Sequence, residues 1–476
     1  MRIIYMGTPE FAAIALSAIV KEHMNDIKHD IKKRHKNLTE FRYIAVGFFL
    51  TILSGAIMLS LPFSSRDGQW TNFLDSLFTA TSATCVTGLV VFDTFRHWSI
   101  IGQLVILVLI QIGGMGFISI GVAFSMLLHK KIGLRQRDLM QESVNALEIG
   151  GIVRLFSVII RGTFLIEGIG AVLLAIRFIP DFGILRGIYF SVFHSISAFC
   201  NAGFDLMGIN EEYSSFTKYA ADPLVNITIM LLIIIGGIGF TIWNEVRIKK
   251  LKFSRYSLHA KIVISTTLIL VFGGGLFMYI FEKSNTIAGM DTPGAIFASL
   301  FGSVTARTAG FNTVDTAALT QESKLLTIVL MFIGGSPGST AGGIKTTTMA
   351  VMIIYIVSYM RGSNGCNVFG RKISSEVIKK AGMVLIINLV LGLTAVIAIL
   401  ATSNMKMDDV LFEVYSAIST VGMTTGITRD LNTVGRIIII IMMYCGRIGS
   451  MTFVLSFVHR PDKANIELPE EKVIIG

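Results

Sequence analysis

Four short segments of the chain carry a glycine among small residues, a composition suited to holding an ion with backbone atoms. They align without gaps and are 82–89, 197–204, 304–311 and 416–423. Their glycines recur at intervals of 107 to 115 residues. Because glycine accepts a positive φ at little cost, successive carbonyl oxygens can turn toward one axis. A motif repeated at this period indicates four equivalent loops that act together.

The chemistry open to such loops is the coordination of a dehydrated cation. Rings of carbonyl oxygens replace an ion's hydration shell, as in K⁺-selective filters. No Asp or Glu lies within the four loops, so we expect selectivity to come from backbone dipoles. Asp93, Asp205 and Asp315 follow three loops, and either concentrate cations at the mouth or are solvated loop residues. The predicted filter comprises Val86, Thr87, Gly88, Asn201, Ala202, Gly203, Thr308, Ala309, Gly310, Thr420, Val421 and Gly422.

The elements around these loops are those of a membrane protein. Hydrophobic residues make up 53% of the 476 residues and charged residues 15%, and the mean hydropathy is +0.69, which excludes an ordinary soluble domain. Each loop follows a short apolar stretch, long enough for a helix that enters the bilayer and stops. Eight longer runs approach or exceed the ~20 residues that cross hydrocarbon. They are 43–61, 103–128, 155–179, 224–243, 262–281, 325–356, 377–401 and 437–457.

This pattern predicts an all-α integral membrane protein of four tandem repeats, each a helix, a re-entrant loop and a second helix. The eight transmembrane helices would have pseudo-fourfold symmetry around a central pore, because every repeat crosses the membrane twice and so keeps the same orientation. The predicted bounds are 1–40 for a cytoplasmic N-terminal segment, 41–128, 129–250, 251–360 and 361–458 for the repeats, and 459–476 for a cytoplasmic C-terminal tail.

The net charge of +10 reflects membrane topology rather than nucleic-acid binding. Lys and Arg cluster in the connections after the second, fourth and sixth runs, whereas alternate connections carry acids such as Glu211 and Asp222. By the positive-inside rule, both termini are cytoplasmic. We therefore expect the lipid bilayer as a partner and no nucleic acid.

A second glycine-rich marker follows each loop, and two copies depart from the pattern in ways that predict a gate. The copies at Gly113 and Gly236 are typical of close helix packing. The third extends to ten residues with five glycines and a proline, which breaks a helix. The fourth carries an arginine within an apolar span, where an ionisable residue indicates function. The predicted gate comprises Gly334, Gly335, Ser336, Pro337, Gly338, Ser339, Thr340, Ala341, Gly342, Gly343, Lys345 and Arg447.

Structural alternatives for the gate residues stay open at this point. The glycine-rich loop could be a kink accommodated by neighbouring helices. Lys345 could be a snorkelling cation at the membrane boundary. Arg447 could form a structural ion pair or a contact that caps carbonyl groups.

The loop series at 86–89, 201–204, 308–312 and 420–423 resembles the four P-loops of the Trk/Ktr/HKT superfamily of K⁺ transporters, over about residues 40–476. Within it, the chain resembles the pore-forming membrane subunit of bacterial Ktr-type uptake systems. The resemblance implies K⁺ uptake across the bacterial cytoplasmic membrane by a multi-pass homodimer, each protomer with its own pore. Glycine at all four filter positions implies K⁺ selectivity. The resemblance also implies gating by the intramembrane loop, with the arginine as a barrier.

The same resemblance implies a cytosolic partner, a ring of nucleotide-binding regulator-of-conductance subunits that binds ATP or ADP. K⁺ is the expected transported ion, and Na⁺ is left open as an activator. No organic cofactor is expected in this chain, which has no glycine-rich phosphate-binding motif followed by an acidic ribose contact. The alternative function is a symporter that couples K⁺ to Na⁺ or H⁺ by alternating access, although mid-membrane ionisable residues are few. An enzyme is not expected, because no nucleophile, base and oxyanion donor form a set.

Two further features bear on what the chain does not contain. The first eleven residues resemble the start of methionyl-tRNA formyltransferases, and we interpret them as a leader or a chance match because no formyl-transfer site follows.

The four cysteines lack CxxC spacing, so neither a disulfide framework nor a zinc site is expected.

Overall fold

Helices dominate the protein, whose computed structural model describes residues 40–116, 140–141, 151–250, 252–363 and 365–457. The leader-like segment, nearly all of the predicted N-terminal segment and the predicted tail from 459 lie outside these ranges. In the described ranges, the strands are two of two residues each, which pair antiparallel as a hairpin between the third and fourth units. The predicted all-α fold is therefore confirmed.

Four units follow one another along the chain, each with a long helix, a re-entrant helix and a second helix. The first has α1 (Glu40–Ser60), α2 (Phe73–Thr84), the short α3 (Thr94–His97) and α4 (Ile100–Met115). The second has α5 (Ile152–Phe182), α6 (Ile184–Phe199), α7 (Pro223–Gly237) and α8 (Phe240–Lys249). The third has α9 (Leu258–Glu282), α10 (Thr292–Thr305), α11 (Gln321–Phe332) and α12 (Thr346–Met360). Strands β1 (Asn367–Val368) and β2 (Arg371–Lys372) precede the fourth, which has α13 (Ser375–Thr402), α14 (Met407–Ile418), α15 (Thr433–Ile448) and α16 (Ser450–Phe457).

The first helix of each unit is long and apolar enough to cross a bilayer. These helices are α1, α5, α9 and α13, and among the described residues they alone meet that criterion unless α7 and α8 are counted as one bent span. Large apolar side chains on them are exposed, for example Phe164 at 60% and Ile269 at 70%. Such exposure is stable only against lipid, so these helices form the outer wall of the protein.

The re-entrant helices α2, α6, α10 and α14 occupy the interior. They contain 12 to 16 residues, and at ~1.5 Å per residue each falls short of the ~30 Å of hydrocarbon. Every side chain from Phe412 to Ile418 of α14 is buried. At the start of α2, the Asn72 side chain accepts a hydrogen bond from the Leu74 amide at 2.9 Å, which satisfies one of the helix's unpaired donors. These helices therefore enter the membrane and stop inside protein.

In the second, third and fourth units the second helix is interrupted, and in the first unit it is described only up to Gly116. Helix α4 ends at Gly116 (φ 84°), α7 and α8 meet at Gly239 (φ 104°), and α15 and α16 meet at Gly449 (φ 96°). The angle between α7 and α8 is 98°. The apolar runs predicted over 224–243 and 437–457 are each divided into two helices, because a residue at positive φ leaves the helical region. The predicted run 103–128 is described only as far as Gly116.

In three units, the first glycine of the second glycine-rich marker packs against the end of a re-entrant helix. A methyl group on Gly113, Gly236 or Gly446 would lie 2.0 Å from the carbonyl oxygen of the last residue of the re-entrant helix in the same unit. These residues are Thr84, Phe199 and Ile418. The close-packing interpretation of Gly113 and Gly236 is therefore confirmed, with the added finding that the contact is to backbone.

Replacing Gly446 by alanine should destabilise the protein, because the added methyl group overlaps the Ile418 carbonyl oxygen. Overpacking of this kind costs about 1–3 kcal/mol. The matched control is Gly168→Ala on α5, where nothing lies within 4 Å and alanine favours the helix by ~1 kcal/mol. Thermal unfolding in detergent should show a lower Tm for Gly446→Ala and an equal or higher Tm for Gly168→Ala. Equal melting of Gly446→Ala and the parent would contradict the packing argument.

Candidate functional site

The four predicted filter loops form a closed ring. Each loop glycine lies against the carbonyl oxygen of the residue that precedes the glycine of the next unit, 2.0–2.5 Å from the position a Cβ would occupy. The pairs are Gly88–Ala202, Gly203–Ala309, Gly310–Val421 and Gly422–Thr87. The last pair returns to the first unit. Four backbone segments from distant parts of the chain therefore surround one axis, and only glycine fits at each contact.

The loop backbone adopts left-handed conformations at matching positions of the units. The four glycines have φ between 71° and 92°. Two residues earlier, Val86, Asn201 and Thr420 also have positive φ, from 51° to 59°. This is costly for β-branched residues and persists only where the surroundings hold it. Hydrogen bonds from the re-entrant helices supply part of that restraint, for example from the Val86 amide to the Ala83 carbonyl at 3.1 Å.

A hydroxyl group near the end of each re-entrant helix braces its loop. In the first and fourth units a serine Oγ accepts from the glycine amide at 3.0 Å, and in the second and third a hydroxyl donates to the carbonyl after the glycine. The pairs are Ser82–Gly88, Ser416–Gly422, Ser197–Phe204 and Thr305–Phe311. In the third unit the hydroxyl group belongs to Thr305, one residue after the position that aligns with the serines of the other units. Thr308 also lacks the positive φ that the aligned residues of the other three units have. The fourfold symmetry is therefore approximate in the third loop.

The glycine-rich segment predicted as a gate is the loop of residues 333–345, between α11 and α12. Its backbone bonds to the break between α7 and α8. The amides of Ser336 and Thr340 donate to the carbonyls of Gly237 and Gly236 at 3.0 and 3.2 Å, and the Phe240 amide donates to the Gly338 carbonyl at 2.7 Å. Each interruption thus satisfies polar groups that the other leaves unpaired, as non-helical backbone at membrane depth requires.

The same loop touches the fourth filter loop. A methyl group on Gly342 would lie 2.0 Å from Thr420 Oγ1, and one on Gly343 would lie 3.2 Å from Ser419. Ser336, Thr340 and their neighbour Ala341 are buried. The loop therefore lies directly against the ring of predicted filter loops.

Hydrogen bonds between side chains connect the loop to two further filter residues. Asn201 Nδ2 donates to Thr340 Oγ1 at 2.7 Å, and Asn201 Oδ1 accepts from Thr308 Oγ1 at 3.1 Å. Thr340 Oγ1 donates in turn to the Phe199 carbonyl at 3.1 Å. All three side chains are buried, so these hydrogen bonds cost more to break than exposed ones. A shift of the loop would pull on the second and third filter loops.

Arg447, near the end of α15, links three units. Its guanidinium donates to the carbonyls of Thr340 and Gly113, and to the carbonyl of Gly114 at 3.2 Å. Thr340 belongs to the loop, and the two glycines end α4 of the first unit. Among the described residues no carboxylate pairs with Arg447. Arg447 thus contacts a carbonyl of the loop and also caps carbonyls at the end of α4, which is one of the structural alternatives, and it forms no ion pair among the described residues.

Lys345 turns back onto the loop rather than away from it. Its Nζ donates to the Ala341 carbonyl at 2.8 Å and lies 3.4 Å from the Gly342 carbonyl oxygen. A cavity of about 920 Å³ adjoins the loop, and its lining includes Lys345, Arg447 and His259. The cavity gives the loop space on the side away from the filter.

Two of the acidic residues that follow the predicted filter loops accept hydrogen bonds that the sequence did not predict. Asp93 is only 6% exposed and accepts hydrogen bonds from the amides of Phe95, Arg96 and Tyr213, each at 2.9 Å. It therefore ties the first unit to the second and is not a solvated residue. Asp315 is exposed and accepts from the Ala317 amide at 3.0 Å.

Sequence reasoning missed the ion pair that joins the first and fourth units. Asp75 on α2 pairs with Arg436 on α15, and the two side chains are 11% and 21% exposed. The signal was available, since both are charged residues within apolar elements, but no spacing rule pairs positions 361 residues apart. This contact joins the first unit to the fourth, two units that do not follow each other along the chain.

The described residues offer no site for a bound metal of the usual kind. No group of three His, Cys, Asp or Glu side chains lies together in the part of the chain that is described. The four cysteines are free and buried.

One family model matches residues 10–468, almost the whole chain, and it describes TrkH, a cation transport protein. The chain belongs to this family. The predicted resemblance to the Trk/Ktr group and the prediction of a transporter rather than an enzyme are thereby confirmed.

Two relatives in this family match over nearly their full length. The potassium/sodium uptake protein NtpJ of Enterococcus hirae is 39% identical, with 94% of this chain and 99% of that protein covered. The Ktr system potassium uptake protein B of Bacillus subtilis is 42% identical, with 91% and 96% covered. Among solved structures, the potassium transporter TrkH from Vibrio parahaemolyticus has a TM-score of 0.68 at 18% identity, covering 89% of this chain and 85% of that one. At that identity, the structural match supports the fold alone.

The Asp75–Arg436 pair should contribute measurably to stability, because removing one partner leaves a partly buried charge unpaired. A double-mutant cycle of Asp75→Asn and Arg436→Gln, read by chemical unfolding in detergent, should give a coupling energy of about 1–3 kcal/mol. The matched control is Arg177 and Asp222, whose pair at 2.8 Å has the arginine 44% exposed and should couple by less than ~1 kcal/mol. Equal coupling in the two cycles would show that Asp75–Arg436 does not hold the first and fourth units together.

Proposed function

We propose that the chain is the K⁺-translocating subunit of a Ktr-type uptake system, with the four-loop ring as its selectivity filter. The observation that carries the proposal is the ring closure, in which each loop glycine meets the preceding carbonyl of the next unit. A ring of backbone carbonyls is the arrangement that replaces the hydration shell of K⁺. Relatives named for potassium uptake, 39% and 42% identical over nearly the whole chain, support the same ion.

The gate in this proposal is the loop of residues 333–345, held closed by Arg447. The loop lies against the filter at Thr420 and Asn201, and Arg447 fastens it to the end of α4. Opening requires the loop to leave these contacts and to move into the adjoining cavity. The guanidinium also places a positive charge beside the path of a cation, which raises the barrier to passage.

The proposal extends to assembly and orientation. Multi-component systems are indicated by the name of the Bacillus subtilis relative, so we assign a cytosolic nucleotide-binding ring as the regulator that moves the loop. The chain forms a homodimer with one pore per protomer. Its Lys-rich and Arg-rich connections and both termini face the cytoplasm, and the membrane is the bacterial cytoplasmic membrane.

A second candidate function is coupled transport of K⁺ with Na⁺ or H⁺. One relative is named for both potassium and sodium. Glu167 lies buried in α5, with Gln111 Nε2 3.1 Å from its carboxylate, and coupling generally uses an ionisable group at this depth. Against it, the four units have the same order of elements along the chain, whereas many secondary transporters have inverted repeats.

K⁺ flux in proteoliposomes tests the function directly. Flux should follow the K⁺ gradient and should not be driven uphill by a Na⁺ or H⁺ gradient. Serine at Gly422 should lower the ratio of K⁺ to Na⁺ flux by about tenfold, a change of ~1.4 kcal/mol, because its Cβ would lie 2.0 Å from the Thr87 carbonyl oxygen and the φ of 91° is strained.

The control for that measurement is Gly302→Ser on α10, where nothing lies within 4 Å of the new side chain. It should keep the selectivity of the parent protein. Uphill K⁺ movement on a Na⁺ or H⁺ gradient would establish the symporter instead. Unchanged selectivity of Gly422→Ser would show that the ring of loops is not the selectivity filter.

Replacing Arg447 by glutamine should raise K⁺ flux in the absence of any regulatory partner. It removes a positive charge and weakens the bonds that hold the loop. A repulsion of ~1–3 kcal/mol corresponds to about a 5- to 150-fold change in rate. Arg361→Gln at the exposed end of α12 serves as the control for loss of one charge. Unchanged or lower flux from Arg447→Gln in well-folded protein would contradict the barrier.

A further inference from the structure

A second cavity, remote from the filter and the loop, lies between the start of α5 and the end of α8. Its volume is about 650 Å³, which is within the usual range for ligand pockets. Three arginines line it, Arg154 and Arg161 from α5 and Arg247 from α8, and no acid is found among the described residues of the lining. Among the described residues, none of the three forms an ion pair. We call this cavity the arginine groove.

The remaining polar groups of the arginine groove favour an anion. Ser157 lies one turn from Arg154 on the same face of α5, and Asn244 lies one turn from Arg247 on α8. The groove also includes Gly151 and Ile152 at the beginning of α5, where no side chain caps the helix. Free amides and the helix dipole add positive potential at that end. Guanidinium groups bind phosphate oxygens in a bidentate manner, so the ligand class is a phosphate.

The depth of the arginine groove in the membrane points to a lipid as the source of that phosphate. Arg161 is three residues, or ~4.5 Å along the axis, from Phe164, and Phe164 and Leu165 are 60% and 65% exposed. Such side chains mark the beginning of the hydrocarbon. The arginines therefore lie at the level of the lipid headgroups.

The apolar lining agrees with a lipid rather than a soluble anion. Leu155, Val158 and Ile248 share the groove with the arginines, and Ile248 is 68% exposed. A free phosphate would leave this surface unused. In the part of the chain that the structure describes, the lining has no aromatic ring on which a nucleotide base could stack. We propose that the arginine groove is a binding site for the headgroup of an anionic phospholipid, with its acyl chains along the apolar wall.

The test compares two lipids with the same acyl chains, one with an anionic and one with a zwitterionic headgroup. The purified full chain in detergent is incubated with dioleoylphosphatidylglycerol or dioleoylphosphatidylcholine, and bound lipid is counted by native mass spectrometry. Phosphatidylglycerol should be retained about tenfold more than phosphatidylcholine, since each nearby Arg favours an anionic lipid. The variant Arg154→Gln/Arg161→Gln/Arg247→Gln should lose this preference.

The control variant Arg255→Gln/Arg361→Gln/Arg371→Gln removes the same charge elsewhere and should keep the preference. A single Arg161→Gln variant, with thermal unfolding recorded in parallel, serves if the triple variant does not fold, and should lower phosphatidylglycerol retention severalfold at unchanged Tm. Equal retention of the two lipids by the parent would overturn the proposal. It would favour an acidic protein surface as the partner of the arginine groove. Displacement of the lipid by millimolar glycerol phosphate would identify a site for free phosphate instead.

Discussion

Non-helical backbone inside a bilayer must find its hydrogen bonds within the protein, and the architecture of this molecule follows from that constraint. The re-entrant helices stop at membrane depth and expose their final carbonyl groups. The second helices lie on those ends through glycines, at Gly113, Gly236 and Gly446, where no side chain intervenes. The loops then meet in a ring, so that each is covered by its neighbours rather than by lipid. The four long outer helices separate this interior from the hydrocarbon.

The same constraint explains why the third unit is joined to all the others. Its second helix is interrupted for thirteen residues, 333–345, and those residues need partners of their own. They find them at the break between α7 and α8, at the fourth filter loop, and through Arg447 at the end of α4. The segment is bonded directly to the second and fourth units and, through Arg447, to the first. In our proposal the Asn201–Thr340 contact is what couples the loop to the filter.

Two regions of positive charge have different surroundings and, in our proposals, different roles. Arg447 is satisfied by carbonyl groups within the protein, so its charge acts on the ion path. The arginine groove contains three guanidinium groups and no acid among the described residues that line it, and so its charge is available to a ligand from outside. A count of Lys and Arg predicts the orientation of a membrane protein but not the use of each charge.

Much of this protein was determined by local sequence. Glycine spacing predicted the four loops, and apolar runs predicted the units, because both depend on neighbouring residues. The departures at Gly334 to Gly343 and at Arg447 likewise marked the candidate gate. Tertiary structure alone decided the order of the ring, the carbonyl partners of Arg447 and the pairing of Asp75 with Arg436, since these contacts join residues more than one hundred positions apart. It also decided that Gly239 and Gly449 break their helices, because glycine permits a positive φ but only packing requires one.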